Sequence, residues 1–106
     1  MVLPIFAIFL FGNKKDDSGN IVNSNGMYEE FKIATELGVK PIPIGATGFM
    51  SKLIWQEVMS NFEFYYGSDI EIKNWLTEIG SPATSVEIII GNIYNIIRKL
   101  GTEIKI

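Results

Sequence analysis

The chain has 106 residues, 47% of them hydrophobic and 20% charged, with a formal net charge of −3. That length holds one core and not two, and an acidic balance without a run of Lys or Arg excludes general attraction to nucleic acid or an anionic membrane. Cysteine and histidine are both absent, which removes disulfides, thiolate chemistry, zinc sites and Ser–His or Cys–His catalysis.

The first element is the apolar run Ile5-Phe6-Ala7-Ile8-Phe9-Leu10-Phe11, which turns at Gly12-Asn13-Lys14. Apolar residues without polar alternation predict a parallel strand covered on both faces. The run from Val2 is about half of the ~20 apolar residues a membrane span needs, and it lacks the basic start and small-residue cleavage site of a secretory signal. A buried strand of a cytoplasmic protein is expected. Asn13 to Asn25 is polar and charged, and predicts a surface loop. Structureless connections of that length often serve as binding loops or lids; a plain insertion is the competing reading.

A helix is predicted from Met27 to Leu37, with Met27, Phe31, Ala34 and Leu37 on one face, Asn25 or Gly26 as cap and Gly38 as stop. Glu29 and Glu30 fall in its expected first turn, where the helix dipole favours anions. Glu30, beside Phe31, is the one placed to face inward. Val39 to Ile44 predicts a second strand, whose Pro41 and Pro43 make it an edge. Gly45-Ala46-Thr47-Gly48 then leads into a helix from Phe49 to about Phe62, burying Met50, Leu53, Ile54, Val58 and Met59. Strand, glycine turn and helix start make an anion cradle of free N–H groups, although neither the dinucleotide nor the P-loop fingerprint is present.

Open α/β sheets bind ligands in the crevice at the carboxyl ends of their strands. Here that crevice would receive Lys14, the glycines and Glu30. Downstream, Ser68-x-x-Glu71 and Thr84-x-x-Glu87 resemble capping boxes. They predict a helix burying Ile72, Trp75, Leu76 and Ile79, and another with Val86, Ile89, Ile90, Ile93, Ile97 and Leu100 on one side. Phe62, Phe64, Tyr65 and Tyr66 lie between helices as packing. The fold class is therefore α/β, with residues 67–106 as helical support to a single domain. Two parallel strands leave an edge open, so the sheet is expected to be completed by a second copy, as a dimer, or by a separate or missing N-terminal half.

Phe-Leu-Phe-Gly-Asn-Lys at 9–14, Gly-Met-Tyr-Glu-Glu-Phe at 26–31 and Pro-Ile-Gly-Ala-Thr-Gly-Phe at 43–49, with Trp55 downstream, resemble the C-terminal part of a SLOG domain. The nearest likeness is the SLOG sensor of the sirtuin-like effector in Thoeris antiphage defence. The resemblance implies a partial Rossmann-like parallel sheet flanked by helices. It further implies binding of a cyclic ADP-ribose isomer, with a sirtuin-like effector as partner and no metal, cofactor or catalytic residue. It makes Lys14 the phosphate-facing lysine and Glu30 the ribose-binding glutamate, with Gly12, Asn13 and Gly26 shaping the pocket; Gly45, Thr47 and Gly48 complete the candidate site. An earlier half, with a first phosphate loop and an arginine, belongs to the family pattern and lies outside this chain. A second branch of the family, the phosphoribohydrolases, implies N-glycosidic cleavage; Gly26 and Glu30 keep that motif's spacing, but Met27 stands where it has Thr. A purely structural or oligomerisation module is the third reading.

Overall fold

The computed structural model describes residues 6–102, so Ile5, expected within the first strand, lies outside them. In chain order the elements are β1 (Phe6–Phe9), β2 (Asn13–Lys15), β3 (Ile21–Asn23), α1 (Asn25–Glu36), β4 (Lys40–Pro43), a 3-10 turn (Gly45–Thr47), α2 (Phe49–Ser60), α3 (Phe62–Tyr66), α4 (Ile70–Glu78) and α5 (Val86–Thr102). β1 and β4 pair in parallel, Phe6 opposite Lys40 and Phe9 opposite Pro43.

The prolines decide which edge of this pair is closed. The Ile44 N–H donates to the Phe9 carbonyl at 2.8 Å. Strand groups alternate sides, so Pro41 and Pro43 fall on the outer side of β4, where the missing donors break no ladder bond. The buried Tyr66 hydroxyl donates to the Pro41 carbonyl at 2.7 Å and caps that outer side. As expected, β4 is an edge strand. β1 differs from expectation: Phe9 is buried and meets Phe31 edge to face, yet Phe6 and Ile8 stay 38% and 40% exposed. The fold buries Ile42, the register partner of Ile8, and reaches Phe9 through α1, but leaves Phe6 and Ile8 exposed.

Several elements depart from the sequence reading for local reasons. Asn13 to Asn25 is no structureless loop; β2 and β3 form an antiparallel hairpin with Lys14 opposite Val22. Asp16 Oδ1 accepts from the Ser18 and Asn20 N–H groups, both at 2.9 Å, and holds the turn. α1 is capped by Ser24, whose hydroxyl accepts from the Met27 N–H at 3.3 Å. Gly26 therefore lies inside the helix, and Glu29 and Glu30 fall beyond its first turn. Leu37 is the exposed C-cap, not part of the buried face. In α2 it is Ser51 that is buried and Leu53 that is exposed. Asp69 caps α4 in place of Ser68, and the Ser85 hydroxyl, not Thr84, accepts from the Ile88 N–H near the start of α5. Val86 and Ile90 are exposed, the buried stripe of α5 running through Asn92, Ile96 and Leu100.

Trp55 locks the helices to the strand end. Its indole N–H donates to the Leu76 carbonyl at 2.8 Å, and its ring lies over two glycines. A Cβ at Gly80 would stand 2.2 Å from the ring, and one at Gly45 would stand 2.7 Å from it. Neither position has room for a methyl group. Gly80→Ala is expected to cost about 1–3 kcal/mol through overpacking. Urea denaturation followed by tryptophan emission measures it; an unchanged midpoint would show that the ring is not pinned there.

Candidate functional site

The carboxyl ends of β1 and β4 meet at one side chain. Thr47 Oγ1 accepts from the Phe11 N–H and donates to the Ile44 carbonyl, both at 2.7 Å. The Phe11 carbonyl accepts from the Ser51 N–H in α2 at 3.0 Å, and the Gly12 carbonyl from the Ser24 N–H at 2.6 Å. A strand end, a glycine turn and the starts of two helices are thus drawn to one place. Gly12 sits at its centre with φ +85°, and a Cβ there would stand 2.6 Å from Met27 Sδ and 2.8 Å from Met50 Cβ. Only glycine fits both the backbone and the space.

The expected site residues divide into two groups. Gly12, Gly45 and Thr47 lie in this junction, where each already serves the fold, by close packing at Gly12, contact with the Trp55 ring at Gly45 and the strand tie at Thr47. Gly48 has φ +74° with nothing near its missing side chain, and Gly26 is likewise open apart from the Ser24 hydroxyl at 3.7 Å. Asn13 and Lys14 are exposed on β2, and Glu30 is exposed on α1. No hydrogen bond or ion pair joins Lys14 to Glu30; among the described residues the ion pairs are those of Lys99 with Asp69 and Glu71. The N-terminus of α2 carries no side-chain cap, and its Ser51 N–H is already taken by Phe11.

Three features of the junction had no signal in the sequence. Phe11 and Phe49 have φ +58° and +53°, the non-glycine residues at positive φ among those described; each such backbone costs about 1–2 kcal/mol. Tyr28 donates its hydroxyl to Glu57 Oε1 at 2.9 Å, tying α1 to α2. That hydrogen bond, helped by burial, raises the tyrosine above its ordinary pKa.

Concavities lie on the helical side. One, of about 320 Å³, is lined by Glu71, Trp75, Asn95, Arg98 and Lys99. Lys99 Nζ bonds Glu71 at 2.6 Å and Asp69 at 2.9 Å, so its charge is met by carboxylates of the same chain. Among the described residues no group of three acidic side chains could hold a metal ion, and no helix is long and apolar enough to cross a membrane.

With this geometry in view, the profile of the Sir2- and TIR-associating SLOG family matches residues 5–100. The chain belongs to that family. It is 40% identical over 94 residues to the NAD(+) hydrolase ThsA of Cytobacillus dafuensis, covering 89% of this chain and 19% of that protein. It is 38% identical over 96 residues to the ThsA of Bacillus cereus (strain MSX-D12), covering 90% and 20%. With the ThsA of Acinetobacter baumannii (strain 532279) it shares 51% over 65 residues, covering 57% and 14%. The chain spans about a fifth of the length of the first two relatives. The SLOG resemblance read from the three motifs is therefore right, and the small parallel sheet with flanking helices is consistent with it.

Burial works to raise the Asp69 carboxyl, but hydrogen bonds from the Ile72 N–H and Lys99 outweigh it and hold the group below its ordinary range. Its charge then stabilises the fold above the unfolded pKa, and this contribution disappears as pH falls through the folded value. Asp69→Asn, which keeps a good helix cap, is expected to lower Tm at about pH 7 and to match the unsubstituted chain at about pH 2. An equal deficit at both pH values would assign the loss to the cap and not to the charge.

Proposed function

We propose that this chain is a ligand-binding module for a nucleotide-derived, cyclic ADP-ribose-like molecule, and that it performs no chemistry itself. The junction at the carboxyl ends of β1 and β4 carries the reading, since that is where open α/β sheets take ligands. In this reading Lys14 pairs with phosphate, which a lysine serves as a point charge, and Glu30 accepts hydrogen bonds from ribose hydroxyls. Gly12, Asn13 and Gly26 shape the wall, and the Gly45–Thr47–Gly48 turn closes the floor. Membership of a family named for its association with Sir2 and TIR proteins supports it, as does likeness to NAD(+) hydrolases. The hydrolase activity is a property named for those far longer proteins. Here the proposed partner is a sirtuin-like effector that responds to the ligand, in the cytoplasm.

The same reading has residues 1–106 as the C-terminal half of one SLOG domain and has its sheet completed at β1. A second copy of the chain, giving a dimer, or a separately supplied N-terminal half would do this. Support comes from the asymmetry of the two edges: prolines and Tyr66 close the outer side of β4, while the other side of β1 has no strand partner among the described residues and Phe6 and Ile8 are exposed.

Differential scanning fluorimetry tests the ligand. A cyclic ADP-ribose isomer is expected to raise Tm and to be recovered unconsumed, and Lys14→Ala or Glu30→Ala to remove the shift while leaving Tm without ligand within about 2 °C. Free base released from AMP would favour a phosphoribohydrolase. No shift with any nucleotide would favour a structural module.

A further inference from the structure

We propose that Phe11 and Phe49 are the surface on which the purine base of this ligand stacks. The inference rests on the nucleotide reading above and adds to it the part of the ligand that neither Lys14 nor Glu30 would recognise. Both residues hold a backbone conformation that bulky side chains rarely adopt, at φ +58° and +53°. Both belong to one hydrogen-bonded junction. The Phe11 N–H donates to Thr47 and its carbonyl accepts from Ser51, and Phe49 is the residue midway between those two partners. The surrounding structure thus over-determines the strain, as it does at ligand clamps.

Burial within the chain repays it only in part. Phe11 is 49% exposed and Phe49 41%, whereas their neighbours Phe9 and Met50 are each 6% exposed. Neither phenylalanine belongs to the buried core cluster among the described residues. Three polar groups of the junction are already engaged: the Phe11 N–H, the Thr47 hydroxyl and the Ser51 N–H all have partners. The junction also offers a ligand aromatic surface, at Phe11 and Phe49, with the exposed lysine Lys14 on the adjoining hairpin. A flat heteroaromatic base fits such a surface, because stacking needs no hydrogen-bond readout and scales with ring area. Phosphate and ribose would lie toward Lys14 and Glu30.

Isothermal titration of the full chain with cyclic ADP-ribose, and with ribose 5-phosphate as the base-free probe, tests this. Phe11→Leu and Phe49→Leu keep an apolar side chain but remove the aromatic face. Each is expected to weaken cyclic ADP-ribose about tenfold or more and to leave ribose 5-phosphate unchanged. Phe11→Gly supplies a second readout, since glycine adopts this φ without strain. It is expected to raise Tm and weaken cyclic ADP-ribose together, a pair of opposite signs that a packing role would not produce. If the unsubstituted chain binds cyclic ADP-ribose and Lys14→Ala abolishes binding while the leucine variants bind normally, base stacking is overturned and the nucleotide reading stands. Equal loss of both probes in the leucine variants also overturns it. If the unsubstituted chain binds neither probe, both readings fall.

Discussion

One hydroxyl group joins the two strands of this small sheet where they end. Thr47 Oγ1 accepts a hydrogen bond from the Phe11 N–H, two residues past β1, and donates one to the carbonyl of Ile44, the residue after β4, so the two strand ends are tied to each other. Phe11 then has to turn through a left-handed conformation, and Gly12 follows at φ +85° between the starts of α1 and α2. The next carbonyls are taken up by Ser51 and Ser24 at the entries of α2 and α1. The ends of β1 and β4 and the starts of α1 and α2 are joined through this tie. The Phe11 N–H, the Thr47 hydroxyl and the Ser51 N–H are satisfied within the protein, while the Phe11, Lys14, Glu30 and Phe49 side chains around them stay exposed.

Glycines at such a junction invite a reading as phosphate contacts, and the packing qualifies it. Gly45 and Gly80 lie beneath the Trp55 ring, at distances that exclude a Cβ. Their smallness lets an indole bridge the 3-10 turn to the end of α4, with the Trp55 N–H satisfied by the Leu76 carbonyl. Gly12 has a packing reason as well as a conformational one. Gly48 differs: its φ is +74°, with open space beside it. A glycine-rich turn can serve helix docking and ligand approach at once, and here the first demand accounts for more of the residues.

The two edges of the sheet are treated unequally. On β4 the prolines remove donors and Tyr66 covers a carbonyl, so no further strand can be added there. On β1 the outward face carries Phe6 and Ile8, and no described strand pairs beyond it. Parallel strands are ordinarily buried on both faces, and exposed apolar edges invite pairing.

The sequence by itself determined the elements whose signals are local. Apolar runs marked the two parallel strands, prolines marked the edge strand, and 3.6-residue periodicity marked the longer helices. Gly38 stopped α1 at φ +78°, with the Val39 N–H returning to Ala34 and the Gly38 N–H to Thr35. The three motifs around residues 9–14, 26–31 and 43–49 were enough for the family. Sequence did not reveal the hairpin at 13–23, because its side chains do not alternate and its turn is held by a single aspartate. Nor did it reveal which faces stay open: Leu37, Leu53, Val86 and Ile90 fit the apolar period, yet all four stay exposed. Only the tertiary structure decided the positive φ of Phe11 and Phe49 and the double duty of Thr47. Those features arise between segments some 36 residues apart, and no propensity of a phenylalanine or a threonine announces them.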